Sequence, residues 1–161
     1  MKIKIIIVFI LISSINIYAQ GGSDRFIKVE YQHSLRIPYN KIELLLEMSE
    51  QKYIMYITTK QMDGKTGYED TNIEKTIIID QMYFDEAYKK LLDINLKEML
   101  LSNEGIVGAD GSTILVAFGT QFNNITLNLW SPFYKTNERK METIVAIIKD
   151  LFNKAGLEEW L

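Results

Sequence analysis

Residues 40–60 read NKIELLLEMSEQKYIMYITTK, and whether this stretch is a helix or a hairpin decides the fold. Asn40 followed three residues later by Glu43 imitates a capping box, a common opening of a helix. Against that, Ile42, Leu44, Leu46 and Met48 alternate with Glu43, Leu45 and Glu47, the period of two that belongs to a strand with one buried face. The polar run Ser49-Glu50-Gln51 then leads into Lys52–Lys60, rich in Tyr, Ile and Thr, which pack well on a pleated surface. The alternation and the β-rich partner decide for a hairpin.

Working outward, Phe26, Lys28, Glu30 and Gln32 alternate with Ile27, Val29, Tyr31 and His33, which predicts a strand that Pro38 stops. Downstream, residues 61–72 (QMDGKTGYEDTN) read as a polar loop with Asp63-Gly64 and Gly67 as turn formers. A short strand is expected over Glu74–Ile79. Asp80 can cap a helix whose apolar positions Phe84, Ala87, Tyr88, Leu91 and Leu92 recur at helical spacing until Asp93. One or two further helical turns are expected over Leu96–Leu101, followed by a Gly-rich loop from Gly105 to Gly111. Thr113–Gly119 and Asn124–Trp130 form a second hairpin around Thr120-Gln121-Phe122-Asn123, and Pro132 ends it. Met141, Ile144, Val145, Ile148, Leu151, Phe152 and Ala155 line up as the apolar stripe of a last helix. Its expected cap is Thr136 or Asn137, and Gly156-Leu157 matches a Schellman stop.

Four strands before the first helix, joined by short turns, favour an antiparallel meander over βαβ units. The expected fold class is α+β: an antiparallel sheet of about five to six strands with two amphipathic helices packed on one face, as a single domain over 25–161. The other sheet face would carry Lys28, Glu30, Glu43, Glu47, Thr58 and Asn128 in company with Tyr and Leu.

The first 19 residues, MKIKIIIVFILISSINIYA, have two early lysines, an apolar run and a small residue at the end, the layout of a signal peptide. Ser13, Ser14 and Asn16 interrupt the run too early for a membrane-crossing helix. Cleavage after Ala19 leaves 142 residues with a flexible start over 20–24, and loss of Lys2 and Lys4 moves the net charge from −3 to −5. With no cysteine to carry a lipid, the expected product is soluble, periplasmic or secreted, without a stable membrane anchor.

The absence of cysteine also excludes disulfides, zinc–thiolate sites, iron–sulfur clusters and thiol catalysis. An acidic balance without a basic run argues against nucleic-acid binding. Lys65-Thr66 after Gly64 lacks the earlier glycine and the helix of a phosphate loop. In Gly108-Ala109-Asp110-Gly111-Ser112 an aspartate stands where a nucleophile elbow needs serine. The single histidine, His33, has no partner in sequence for a triad. No catalytic residue, cofactor or metal ligand is assigned. The aromatic residues placed at turns do suggest a protein-binding surface. With one acidic neighbour, they are Tyr68, Asp110, Phe122, Trp130, Phe133 and Tyr134.

Over Gly105–Leu161, the succession Gly108-x-Asp110-Gly111-Ser112, Gly119, Trp130-Ser131-Pro132, Tyr134, Arg139 and Ala155-Gly156-Leu157 resembles small secreted Bacteroidota proteins of no settled activity. Some of these look like immunity proteins that neutralise competitors' toxins. Export, small size, negative charge, the lack of a catalytic constellation and the loop aromatics together point to an exported, non-enzymatic binding or inhibitor protein that occludes a protein partner. The alternatives are a small periplasmic hydrolase working through carboxylates and a small-ligand carrier.

Overall fold

The computed structural model describes residues 25–33, 39–62, 70–103 and 111–161. The signal segment, residues 20–24, the Gly64-Lys65-Thr66 turn, Tyr68 and Asp110 lie outside the described residues. Among the described residues, six strands, β1 (Phe26–His33), β2 (Tyr39–Ser49), β3 (Lys52–Met62), β4 (Asp70–Ile79), β5 (Ser112–Gly119) and β6 (Asn124–Trp130), form one antiparallel sheet in the order β4-β3-β2-β1-β5-β6. Three helices of the described residues, α1 (Gln81–Leu92), α2 (Leu96–Leu101) and α3 (Glu142–Ala155), complete an α+β fold, with a 3₁₀ turn at Glu158–Trp160.

The 40–60 stretch is the expected hairpin. Leu46 faces Met55, Leu44 faces Ile57 and Ser49 faces Lys52 across a two-residue turn. Glu50 and Gln51 hold φ of 50° and 65° there, the both-positive geometry of a type I′ turn, which matches the twist of the strands but suits Asn-Gly best. Replacing this pair (Glu50→Asn with Gln51→Gly) is expected to raise the unfolding free energy by about 1 kcal/mol in urea titrations, by relieving left-handed strain.

Two expectations are corrected. The β3–β4 ladder is longer than the predicted strands, because Met62 still pairs with Asp70 and the register continues unbroken to Tyr53 opposite Ile79. The ladder therefore converts both ends of the supposed 61–72 loop into strand, since each added pair satisfies backbone groups that a loop leaves open. The last helix starts at Glu142, with Met141 as its N-cap and no side-chain cap, so neither Thr136 nor Asn137 caps it. Lys135 and Lys140 take φ of 50° and 54°, and a left-handed residue between Asn137 and Met141 cannot continue a right-handed helix.

Strand alternation sorts the sheet into two faces. On the inner face, Ile27, Val29 and Tyr31 pair with Leu46, Leu44 and Ile42 on one side and with Phe118, Val116 and Ile114 on the other. All nine are essentially solvent-free, and they share one hydrophobic cluster with Phe84, Leu91, Met99, Ile148, Leu151 and Phe152 from the helices. Phe152 meets the Tyr31 ring edge-on at 6.0 Å, and Phe84 lies 4.8 Å from Tyr53. Asp80 accepts the Met82 amide at 2.7 Å to start α1, the expected cap. At the other end of α3, Gly156 sits at φ 75° while Leu157 N–H returns to the Phe152 carbonyl at 2.8 Å, which is the Schellman closure.

Arg25 ties the entry of β1 to α1. Its guanidinium is 2.8 Å from Asp85 and lies over the Phe84 and Tyr88 rings at 5.5 and 5.2 Å. Stacking and ion pairing together hold the first described residue against the helix.

Candidate functional site

The outer sheet face contributes nothing to the buried cluster among the described residues. Register arranges its side chains in rows across the strands. Lys60, Lys41, Gln32, Thr113 and Trp130 make one row; Glu74, Thr58, Glu43, Glu30, Leu115 and Asn128 make the next. Thr76, Tyr56, Leu45, Lys28, Ala117 and Thr126 follow, then Ile78, Ile54, Glu47 and Phe26. The last two rows concentrate Phe26, Leu45, Ile54, Tyr56 and Ile78 on the β1–β4 side. Ile78 is 67% exposed, and the other four are half-buried.

Beside this apolar corner stands a charge network. Glu30 and Glu43 are direct cross-strand partners, an arrangement that is unfavourable by itself. Lys28 Nζ resolves it by reaching Glu30 at 2.7 Å and Glu43 at 3.3 Å, while Lys41 reaches Glu30 at 3.6 Å. The hydrogen bond from Lys28 is the largest influence holding the Glu30 carboxyl below its ordinary 4.5, and the reciprocal bond raises Lys28 above 10.5. A depressed carboxylate stabilises the fold above its unfolded pKa, and that contribution is lost as pH falls through the folded value. The raised lysine has the opposite dependence, its contribution being lost as pH climbs through its folded value. The stability advantage of the wild type over Glu30→Gln is therefore expected to be full at neutral pH and to shrink below 4.5 in thermal melts.

The sequence-predicted surface residues do not converge. Phe122 is 83% exposed at the β5–β6 turn, whereas Trp130 ends the same strand, Asn124–Trp130, about 20 Å away along β6. Trp130 does belong to the outer face. Phe133 is occupied within the molecule, lying under the Lys149 ammonium at 5.8 Å and against the core cluster. Tyr134 is 56% exposed, with Lys135 over its ring at 5.8 Å.

Sequence reading missed the role of Arg139, which organises this end of the molecule. It is 3% exposed, and its fork donates to Asn103 Oδ1 at 2.6 Å, Ser131 O at 2.6 Å, Tyr134 O at 3.1 Å and Trp130 O at 2.8 Å. Asn103 answers by donating to the Arg139 carbonyl at 3.1 Å. No carboxylate pairs with Arg139 among the described residues, and burial pulls its pKa below the usual guanidinium value. Backbone carbonyls thus stand where a counterion would, and they fix the exit of β6. Gly111 completes the packing, since a Cβ there would collide with Ser131 Oγ and press on Trp130 Nε1 at 3.3 Å.

Two grooves flank the helices. One of about 830 Å³ is lined by Phe133, Lys149, Asp150, Asn153, Glu158 and Leu161. The other, about 580 Å³, runs between α1 and α3 past Tyr83, Glu86, Lys90, Glu142 and Asp150. The Tyr83 hydroxyl is buried there without a hydrogen bond, and burial first, then the Asp150 charge, pushes its pKa above 10.0. A phenol so placed stays protonated. Among the described residues no three His, Asp or Glu side chains are grouped to hold a metal ion, and no helix is long and apolar enough to cross a membrane.

The chain matches no protein-family model and no curated protein.

Proposed function

We propose that the chain is an exported, soluble binding protein that acts by covering a protein partner, in the manner of an immunity protein. The observation that carries this reading is the outer-face corner of Phe26, Leu45, Ile54, Tyr56 and Ile78, an aromatic and aliphatic patch with Glu47 set between Ile54 and Phe26 and with Lys28, Glu30 and Glu43 beside it. Apolar anchors surrounded by charged residues are the usual anatomy of a protein-binding surface. Export is supported by the Lys2–Ala19 signal layout. The rim charges are mixed, so the partner is expected to be recognised mainly through the apolar corner, with the charges setting orientation.

The test is affinity capture from the exported fraction by the chain beginning at Gln20, which keeps every described residue, with N-terminal sequencing of the native product alongside. The expected results are a mature start at Gln20 and one protein recovered in equimolar amount. Recovery of no stoichiometric partner under conditions that induce competition between cells would count against the reading.

A further inference from the structure

We infer that the free edge of β4 is a self-pairing interface, through which two copies of the chain join into one continuous antiparallel sheet about a two-fold axis at Thr76. β4 runs ten residues, Asp70–Ile79, and among the described residues pairs only with β3. Its register shows no bulge, in contrast to β2–β3, and the strand contains no proline. Glu74, Lys75 and Thr76 are exposed, and apolar side chains are exposed on both sheet faces: Ile73 at 43% on the inner side and Ile78 at 67% on the outer. Natural sheets blunt a lone edge with bulges, prolines or charges; β4 has no bulge in its register and no proline, and its charges at Glu74 and Lys75 are of opposite sign. The opposite edge, β6, is shorter at seven residues. It also has α2 beside it, since Met99, Leu100 and Asn103 share a cavity of about 170 Å³ with Asn128, Leu129 and Trp130.

Symmetry restricts the register. A closed antiparallel pair of identical strands needs its two-fold axis normal to the sheet, so one residue must face its own copy. Placing Glu74 or Lys75 on the axis sets like charges directly opposite. With Ile77 on the axis, Glu74 faces the other copy's Asp80; with Ile73 there, the apolar end from Ile77 to Ile79 stays unpaired. With Thr76 on the axis the hydroxyl-bearing residue meets itself, a favourable cross-strand pair. Ile73 then faces Ile79 of the other copy twice, and no like charges are opposed. This register also brings the two Ile54–Tyr56–Ile78 corners side by side on one face. The inference stands on the edge geometry and does not rest on the proposed partner.

Sedimentation equilibrium of the chain from Gln20 tests it, with circular dichroism confirming that each exposed-edge variant is folded. The wild type is expected to be a reversible dimer. Thr76→Lys and Thr76→Glu should each weaken self-association by about fivefold or more, because each sets like charges across the axis, and an equimolar mixture of the two should recover it as a heterodimer. A monomeric wild type, a Thr76→Lys variant that dimerises as well as the wild type, or a mixture that remains monomeric would each overturn the proposal.

Discussion

Arg139→Met is expected to lower the unfolding free energy by about 3–5 kcal/mol, the largest loss of any single substitution outside the hydrophobic cluster. The substitution removes a buried charge, which alone would help, because burial already disfavours the guanidinium. It also removes four hydrogen bonds at 2.6–3.1 Å and strands the carbonyls of Trp130, Ser131 and Tyr134 together with Asn103. Leaving one buried polar group unpaired costs roughly 1–3 kcal/mol, so the stranded acceptors outweigh the relief of the charge. Arg139→Lys should recover only part of the loss, since a compact ammonium cannot span acceptors arranged around a planar fork. Urea titration measures both variants, and Trp130 fluorescence reports whether the exit of β6 has loosened. A loss below about 1 kcal/mol for the methionine variant would mean that water replaces the fork at little cost.

Tyr56→Ala should weaken capture of the partner by about 30-fold or more while leaving the melting temperature nearly unchanged. Tyr56 lies at the centre of the apolar corner, between Leu45 and Thr76 in its row and flanked along β3 by Ile54 and Thr58. Central aromatic anchors carry most of the energy of a protein interface, and their rims carry little. Tyr134→Ala, at an exposed ring that follows β6, the edge strand opposite β4, should change affinity by less than about threefold. Titration calorimetry with the recovered partner separates the two variants. Equal losses for both would place the contact elsewhere.

How much of this was legible in the sequence depends on the kind of signal. The period of two over Ile42–Met48 and Phe26–His33 specified both the strands and which residues share a face, so the outer set of Lys28, Glu30, Glu43, Glu47, Thr58 and Asn128 was readable before any coordinates. Alternation says nothing about register, however. Only register shows that Glu30 opposes Glu43 with Lys28 bridging them, and that Phe26, Leu45, Ile54, Tyr56 and Ile78 fall together. The late start of α3 was hidden for a related reason. Thr136, Asn137 and Glu138 look like a helix start locally, but the carbonyls drawn to Arg139 from Ser131 and Tyr134 hold the preceding chain in turns, a tertiary demand that overrides local propensity. The role of Arg139 was not legible, because nothing in sequence reveals that backbone carbonyls, and no acid among the described residues, surround it. Loop aromatics were a weaker guide. Trp130 belongs to the outer face, Phe122 and Tyr134 are exposed outside the strands, and Phe133 packs inward.

Hydroxyl-radical footprinting of the captured complex against the free chain addresses the proposed surface most directly, because it reads the accessibility of individual side chains. The expected result is protection of Phe26, Ile54 and Tyr56 on binding, with Tyr88 and Tyr134 labelled as in the free chain. Protection confined to the helices or to Tyr134, with Tyr56 still labelled at its free rate, would contradict the assignment of the outer sheet face as the surface that meets the partner.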